Sequence, residues 1–152
     1  MAAGGTAVDC VFCRIAAGAL PAHRLYEDSR VLAFLDIQPG TLGHALVIPK
    51  AHAEDFFGLP AADRDAIFAA AQRVAAALMA ETEAEGLNLH QSNGAAAGQV
   101  VPHFHLHLLP RRRGDGLRGP WTPGAAAAAE LAGLAERVAR RLGGQAPAAG
   151  GR

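Results

Sequence analysis

The run HFHLHLL, residues 103–109, constrains the fold of this chain more than any other stretch. It sets three of the chain's 7 histidines at every second position. Strict alternation is a β-strand signature, because successive side chains leave opposite faces of the pleat. Phe104, Leu106 and Leu108 then share one face, suited to a core, while His103, His105 and His107 share the other. Imidazole acts as base, nucleophile or metal ligand near neutral pH. The strand therefore requires a packed layer beneath it and a chemical site above it.

Other segments supply that layer. RLYED (24–28) and VLAFLDI (31–37) read as a hairpin about Asp28-Ser29-Arg30, with HALVIP (44–49) and LNLHQS (87–92) as the third and fourth strands. A short helix over Cys10–Leu20 is closed by Gly18 and Pro21. After Pro60 a long helix runs to about Glu83, with Ile67, Ala71, Val74 and Leu78 on its apolar stripe. Thr122-Pro123 reads as N-cap and first position of a last helix, with Leu131, Leu134 and Val138 on one face. This order predicts an α+β fold with a mainly antiparallel sheet.

At 152 residues the length fits one domain, expected over residues 9–115. Residues 1–8 read as a flexible N-terminus, 116–143 as a helical extension and 144–152 as a disordered tail. The 14 basic and 14 acidic residues cancel, and no basic stripe points to a nucleic-acid partner, although Arg111-Arg112-Arg113 can meet a small anion. No signal sequence and no membrane-length apolar run is evident, so a soluble, cytoplasmic protein is expected.

Three alternating histidines do not suit a single metal. Strand neighbours two apart are separated by roughly 6.5 Å and those four apart by roughly 13 Å, too far to converge on bonds of about 2.0 Å. Divided roles fit better, with one imidazole as nucleophile and its neighbours orienting or protonating. Upstream, NGAAAGQ (93–99) has glycines at 94 and 98 and no bulky side chain between them. Such a loop lets backbone N–H groups approach an anion closely. A phosphate cradle beside a histidine row is the outline of phosphoryl or nucleotidyl chemistry.

Cys10-Val-Phe-Cys13 supplies two soft ligands, which is half a zinc site. The alternatives are a redox pair, which normally follows a strand and opens a helix, and two buried thiols.

On these residues the chain resembles the histidine-triad (HIT) family of nucleotide hydrolases and transferases. HFHLHLL fits that family's His-φ-His-φ-His-φ-φ signature, where φ is apolar, and the likeness also takes in CVFCRI, LAFLDIQPGTLGHALVIPKAH and SNGAAAGQVVPHFHLHLLPR, from about Cys10 to Asp115. The resemblance implies a five-stranded antiparallel sheet with two main helices, plus the C-terminal helix, paired as a homodimer. It implies cleavage at the α-phosphate of nucleoside phosphate derivatives, such as dinucleoside polyphosphates or adenosine phosphoramidates, through a nucleotidyl-histidine intermediate.

The roles it implies are specific. His105 is the nucleophile, His107 assists at the phosphate, and His44 supports the triad. Phe12, Ile15, Phe34 and Ile37 surround a purine base and Asp36 accepts from the ribose. Asn93, Gln99 and the N–H of Val100 meet the phosphate. Cys10, Cys13, His52 and His103 hold a structural zinc ion. His23 and His90 are surface or structural residues in this scheme. Where the family often has Ser or Thr near the leaving group, this chain has Val100. The rival readings are a nucleotide-binding scaffold protein with little turnover and a metal-dependent hydrolase.

Overall fold

The computed structural model describes residues 9–117 and 123–144. The expectations for residues 1–8, for Thr122 and for 145–152 lie outside the described residues. The strands are β1 (Arg24–Glu27), β2 (Val31–Leu35), β3 (Ala45–Pro49), β4 (Gly86–His90) and β5 (Leu106–Arg111). The helices are α1 (Val11–Ala16), α2 (Ala61–Thr82) and α3 (Ala128–Arg141). The five strands form one sheet in the order β1-β2-β3-β5-β4. Every neighbouring pair is antiparallel, which is the α+β architecture the strand spacing predicts.

Alternation sorts the central strands between two layers. Val31, Ala33 and Leu35 of β2 and Ala45 and Val47 of β3 join Ile67, Ala71, Val74 and Leu78 of α2 in the main core. Leu131, Leu134 and Val138 of α3 close that core from the side. Leu32, Phe34, Leu46 and Ile48 leave the opposite face and pack with Phe12 and Ile15 of α1. Because α1 is short, it covers only part of this second face. The uncovered part holds the cleft described below.

The β1–β2 turn forms as its sequence dictates: the Asp28 carboxylate accepts the N–H groups of Arg30 and Val31 at 2.7 and 2.8 Å. Gly43, at φ +84, carries the chain into β3; a Cβ there would stand 2.9 Å from Thr82 Cγ2. Only glycine brings His44 to its position without pushing α2 away.

Two expectations need correction. The fifth strand begins at Leu106, so His103 and His105 precede it. The Phe104 N–H is drawn instead to the Ala53 carbonyl at 2.7 Å, and the His103 N–H to the Val101 carbonyl at 2.8 Å. The two-faced pattern survives, since Phe104, Leu106 and Leu108 all enter the main core. The last helix begins at Ala128 rather than at Pro123. Gly124 donates its N–H to the Pro39 carbonyl at 3.1 Å, and residues 123–127 form no helical turn before α3. Among the described residues no helix is long and apolar enough to cross a membrane.

Candidate active site

On the α1 side the sheet carries a cleft of about 1010 Å³, at the upper end of small-molecule pockets. Phe12, Ile15, Phe34, Asp36, Ile37, Val100, His105 and His107 all line it. Phe12 meets Phe34 edge-on at 5.7 Å and His105 at 5.2 Å between ring centroids, giving the cleft an aromatic wall. Ile37, at 68% exposure, and Val100, at 89%, stand at the rim, so neither is core.

The histidines at the reacting end are oriented by a chain of hydrogen bonds. Nδ1 of His44 accepts the Gly40 N–H at 3.0 Å, which puts the His44 proton on Nε2. That proton has two acceptors in view, His107 Nδ1 at 2.8 Å and Asp36 Oδ2 at 3.6 Å. The shorter contact is a hydrogen bond and the longer is not, so His44 donates to His107. His107 then carries its own proton on Nε2. His105 is turned the other way: Nδ1–H donates to the His103 carbonyl at 2.6 Å, leaving the Nε2 lone pair for the cleft.

Burial keeps these rings neutral. It lowers His44 to about 4, against a partial upward pull from Asp36. Burial likewise lowers His105, and it holds His107 well below the usual histidine range, with the neighbouring imidazoles adding to the effect. An uncharged His105 keeps the lone pair that a nucleophile needs. Asp36, His44 and His107 also lie close enough to hold a cation. Both His44 nitrogens are already engaged by Gly40 and His107, so a proton relay suits this trio better than a metal.

A second cluster lies at the other end of the histidine row. The Sγ atoms of Cys10 and Cys13 and one nitrogen each of His52 and His103 all fall within 4.8 Å of one another. Cys10 Sγ is 3.3 Å from His103 Nδ1, and Cys13 Sγ is 3.3 Å from His52 Nδ1 and 3.5 Å from His103 Nδ1. A tetrahedron with Zn–S of about 2.3 Å and Zn–N of about 2.0 Å has S···N edges of roughly 3.5 Å. The four side chains therefore fit such an ion. His103 Nε2 donates to the Pro49 carbonyl at 2.9 Å, aiming Nδ1 at the thiols, and the Cys13 N–H points at Cys10 Sγ at 3.5 Å.

The phosphate loop differs from its expectation. Its Ala95–Ala97 segment forms a 3₁₀ turn, and the N–H groups of Ala97, Gly98 and Gln99 all donate within the loop. The Gly94 N–H goes to Gln99 Oε1 at 2.7 Å, and Gln99 Nε2 donates to the Glu54 carbonyl at 2.7 Å. Asn93 accepts the Phe56 N–H at 2.8 Å and pairs with Gln91. The side chains of Asn93 and Gln99 brace the loop, and Ser92, Ala97, Gly98 and Val100 are the loop residues on the cleft.

The arginine run is tied down: Arg111 is clamped to Asp115 at 2.7 and 2.8 Å and to Asn88 at 2.6 Å, while Arg112 and Arg113 face Glu83 and Glu85. Sequence reasoning also missed a residue. His90, read as structural or surface, lines the cleft and lies opposite His107 across β4 and β5. The pairing of His90 with His107 is set by the β4–β5 register, which the sequence alone does not show.

Known proteins resemble this chain in sequence and fold. The chain is 41% identical over 139 residues to Protein hit of Bacillus subtilis, covering 90% of this chain and 96% of that one. It is 34% identical over 138 residues to adenosine 5'-monophosphoramidase HNT1 of Candida albicans, covering 88% and 91%. With adenylylsulfatase HINT3 of Arabidopsis thaliana it shares 40% identity over 107 residues, 70% of this chain and 54% of that protein. A Zn-bound histidine triad family protein from Mycobacterium smegmatis superposes with a TM-score of 0.78 at 38% identity, covering 91% of this chain and 96% of that one. The HIT domain model matches residues 17–114, and the chain belongs to the HIT family.

Proposed function

We propose that the chain is a nucleotidyl hydrolase that releases a nucleoside monophosphate from AMP-containing substrates through a covalent adduct on His105. The observation that carries this reading is the orientation of His105, whose Nδ1–H is held by the His103 carbonyl so that Nε2 meets the cleft beside His107. The family and its hydrolytic relatives support the reaction class.

The base lies among Phe12, Ile15, Phe34 and Ile37, and Asp36 accepts from the ribose hydroxyls. His105 Nε2 then attacks the α-phosphorus. The N–P bond forms, the bond to the leaving group breaks, and its electron pair departs with that group. His107 Nε2–H, held in place by His44, donates to a phosphate oxygen as charge develops. The N–H of Val100 does the same in this reading. Water next forms an O–P bond and releases a proton to solvent, the N–P bond breaks, and His105 regains its lone pair as AMP leaves.

Cys10, Cys13, His52 and His103 hold zinc in this reading. The ion supplies structural cross-linking, pinning the segment that ends at His105. The thiols suit a reducing cytoplasm, and the outer edge of β4, with Leu89 at 52% exposure, suits pairing with a second copy.

The test is AMP release from adenosine phosphoramidate and from diadenosine polyphosphates, for wild type and His105→Ala. Turnover should fall by roughly 10³-fold or more in the variant while AMP still binds. Equal turnover by both proteins, or none by wild type, leaves a nucleotide-binding protein instead.

A further inference from the structure

His90 and Ser92 stand on the cleft beyond the relay already described. The His90 ring is exposed on the cleft side of β4, with its centroid 5.8 Å from that of His107, which is in turn 4.9 Å from His105. His90 Nε2 lies 3.1 Å from Ser92 Oγ. The imidazole N–H and the hydroxyl O–H are both hydrogen-bond donors. Across the loop Val100 offers only methyl groups.

Resting on the nucleotidyl-transfer reading above, we propose that His90, oriented by Ser92, binds the leaving group and favours substrates whose leaving group is an oxyanion chain over those that expel an amine.

The chemistry distinguishes the two classes. When His105 attacks a phosphoric anhydride, the N–P bond forms and the P–O bond breaks. The electron pair then settles on an oxygen that is itself part of an acceptor-only phosphate. N–H and O–H donors placed one group beyond the α-phosphorus stabilise that charge, with no proton transferred. When a P–N bond breaks, the pair settles on nitrogen, which must gain a proton from His107 or water and becomes a donor itself. A histidine–serine pair offers it little.

The experiment compares kcat/KM for diadenosine polyphosphate and for adenosine phosphoramidate in wild type, His90→Ala, His90→Asn and Ser92→Ala. His90→Ala should lower the polyphosphate-to-phosphoramidate ratio by about tenfold or more, the size of a lost hydrogen bond to a charged group. His90→Asn keeps a donor and should recover part of the ratio, and Ser92→Ala should move it the same way by less. Thermal melting confirms that the variants fold, as expected for an exposed ring whose removal leaves no cavity. Equal losses on both substrates would assign His90 to supporting His107, and an unchanged ratio would leave it outside the reaction; either overturns the proposal. Wild type failing on both substrates would instead overturn the hydrolase reading on which it rests.

Discussion

His103 and His105 stand two positions apart and are both buried, at 0% and 7% exposure, yet their rings are fixed through opposite nitrogens. His103 spends Nε2 on the Pro49 carbonyl and turns Nδ1 to the thiols of Cys10 and Cys13. His105 spends Nδ1 on the His103 carbonyl and turns Nε2 to the cleft. In each case a backbone carbonyl, more than the residue type, decides which nitrogen is available and for what. In the proposed reading the same side chain serves as a metal ligand at His103 and as a nucleophile at His105.

That contrast is breakable, most severely at the two residues themselves. His105→Ala should abolish turnover by roughly 10³-fold or more and leave the melting temperature near wild type. His103→Ala should do the reverse in kind, losing bound zinc and lowering the melting temperature by several degrees, with activity falling as the segment loosens. Metal analysis and thermal melting on both variants separate the two outcomes. Chelation of wild type should act like His103→Ala, with activity decaying alongside stability rather than at once. Immediate and complete loss would point to a catalytic metal.

A smaller effect belongs to the relay. His44→Phe fills the buried site but removes the donor to His107, and kcat should fall about 10- to 100-fold with a smaller change in KM. Acid should expose the same group. Its pKa is lowered from 6.5 to about 4, so the unfolded chain binds its proton first as pH drops. The stability that His44 contributes is full above about 6.5 and is lost as pH falls toward about 4. At pH 5 the loss from this residue alone is about 2 kcal/mol, so the denaturation midpoint of His44→Phe should fall less in acid than that of wild type, the remaining drop coming from His105 and His107. The smallest change is at the rim: Val100→Ser should raise phosphoramidate turnover about threefold to tenfold by supplying a hydroxyl near the leaving group.

Much of this was legible in the sequence because period-two alternation survives where strand geometry does not. Phe104, Leu106 and Leu108 reach the core and His105 and His107 the cleft, even though the hydrogen-bonded strand begins only at Leu106. The 3.6-residue stripe of α2 was equally plain, with Ile67, Val74 and Leu78 fully buried. The cluster of two cysteines and two histidines was only half written, since Cys10 and Cys13 are local while His52 and His103 meet them through the fold. Glycine content marks where the 93–99 backbone can approach an anion, but not that the N–H groups of Ala97, Gly98 and Gln99 are engaged by a 3₁₀ turn. At α3, Pro123 is compatible with a helix start but does not require one, and the helix begins at Ala128, after the segment in which Gly124 bonds to Pro39. His90 went unseen because its significance lies in its cross-strand partner, His107, which register alone supplies.

The stereochemical course at the α-phosphorus tests the central claim most directly. A substrate made chiral there by sulfur and oxygen isotope substitution, hydrolysed in labelled water, records each in-line displacement as one inversion. Attack by His105 followed by attack by water gives two inversions, and the account predicts net retention. Net inversion would mean that water attacks the phosphorus directly, and the histidine row would then orient a reaction it does not enter.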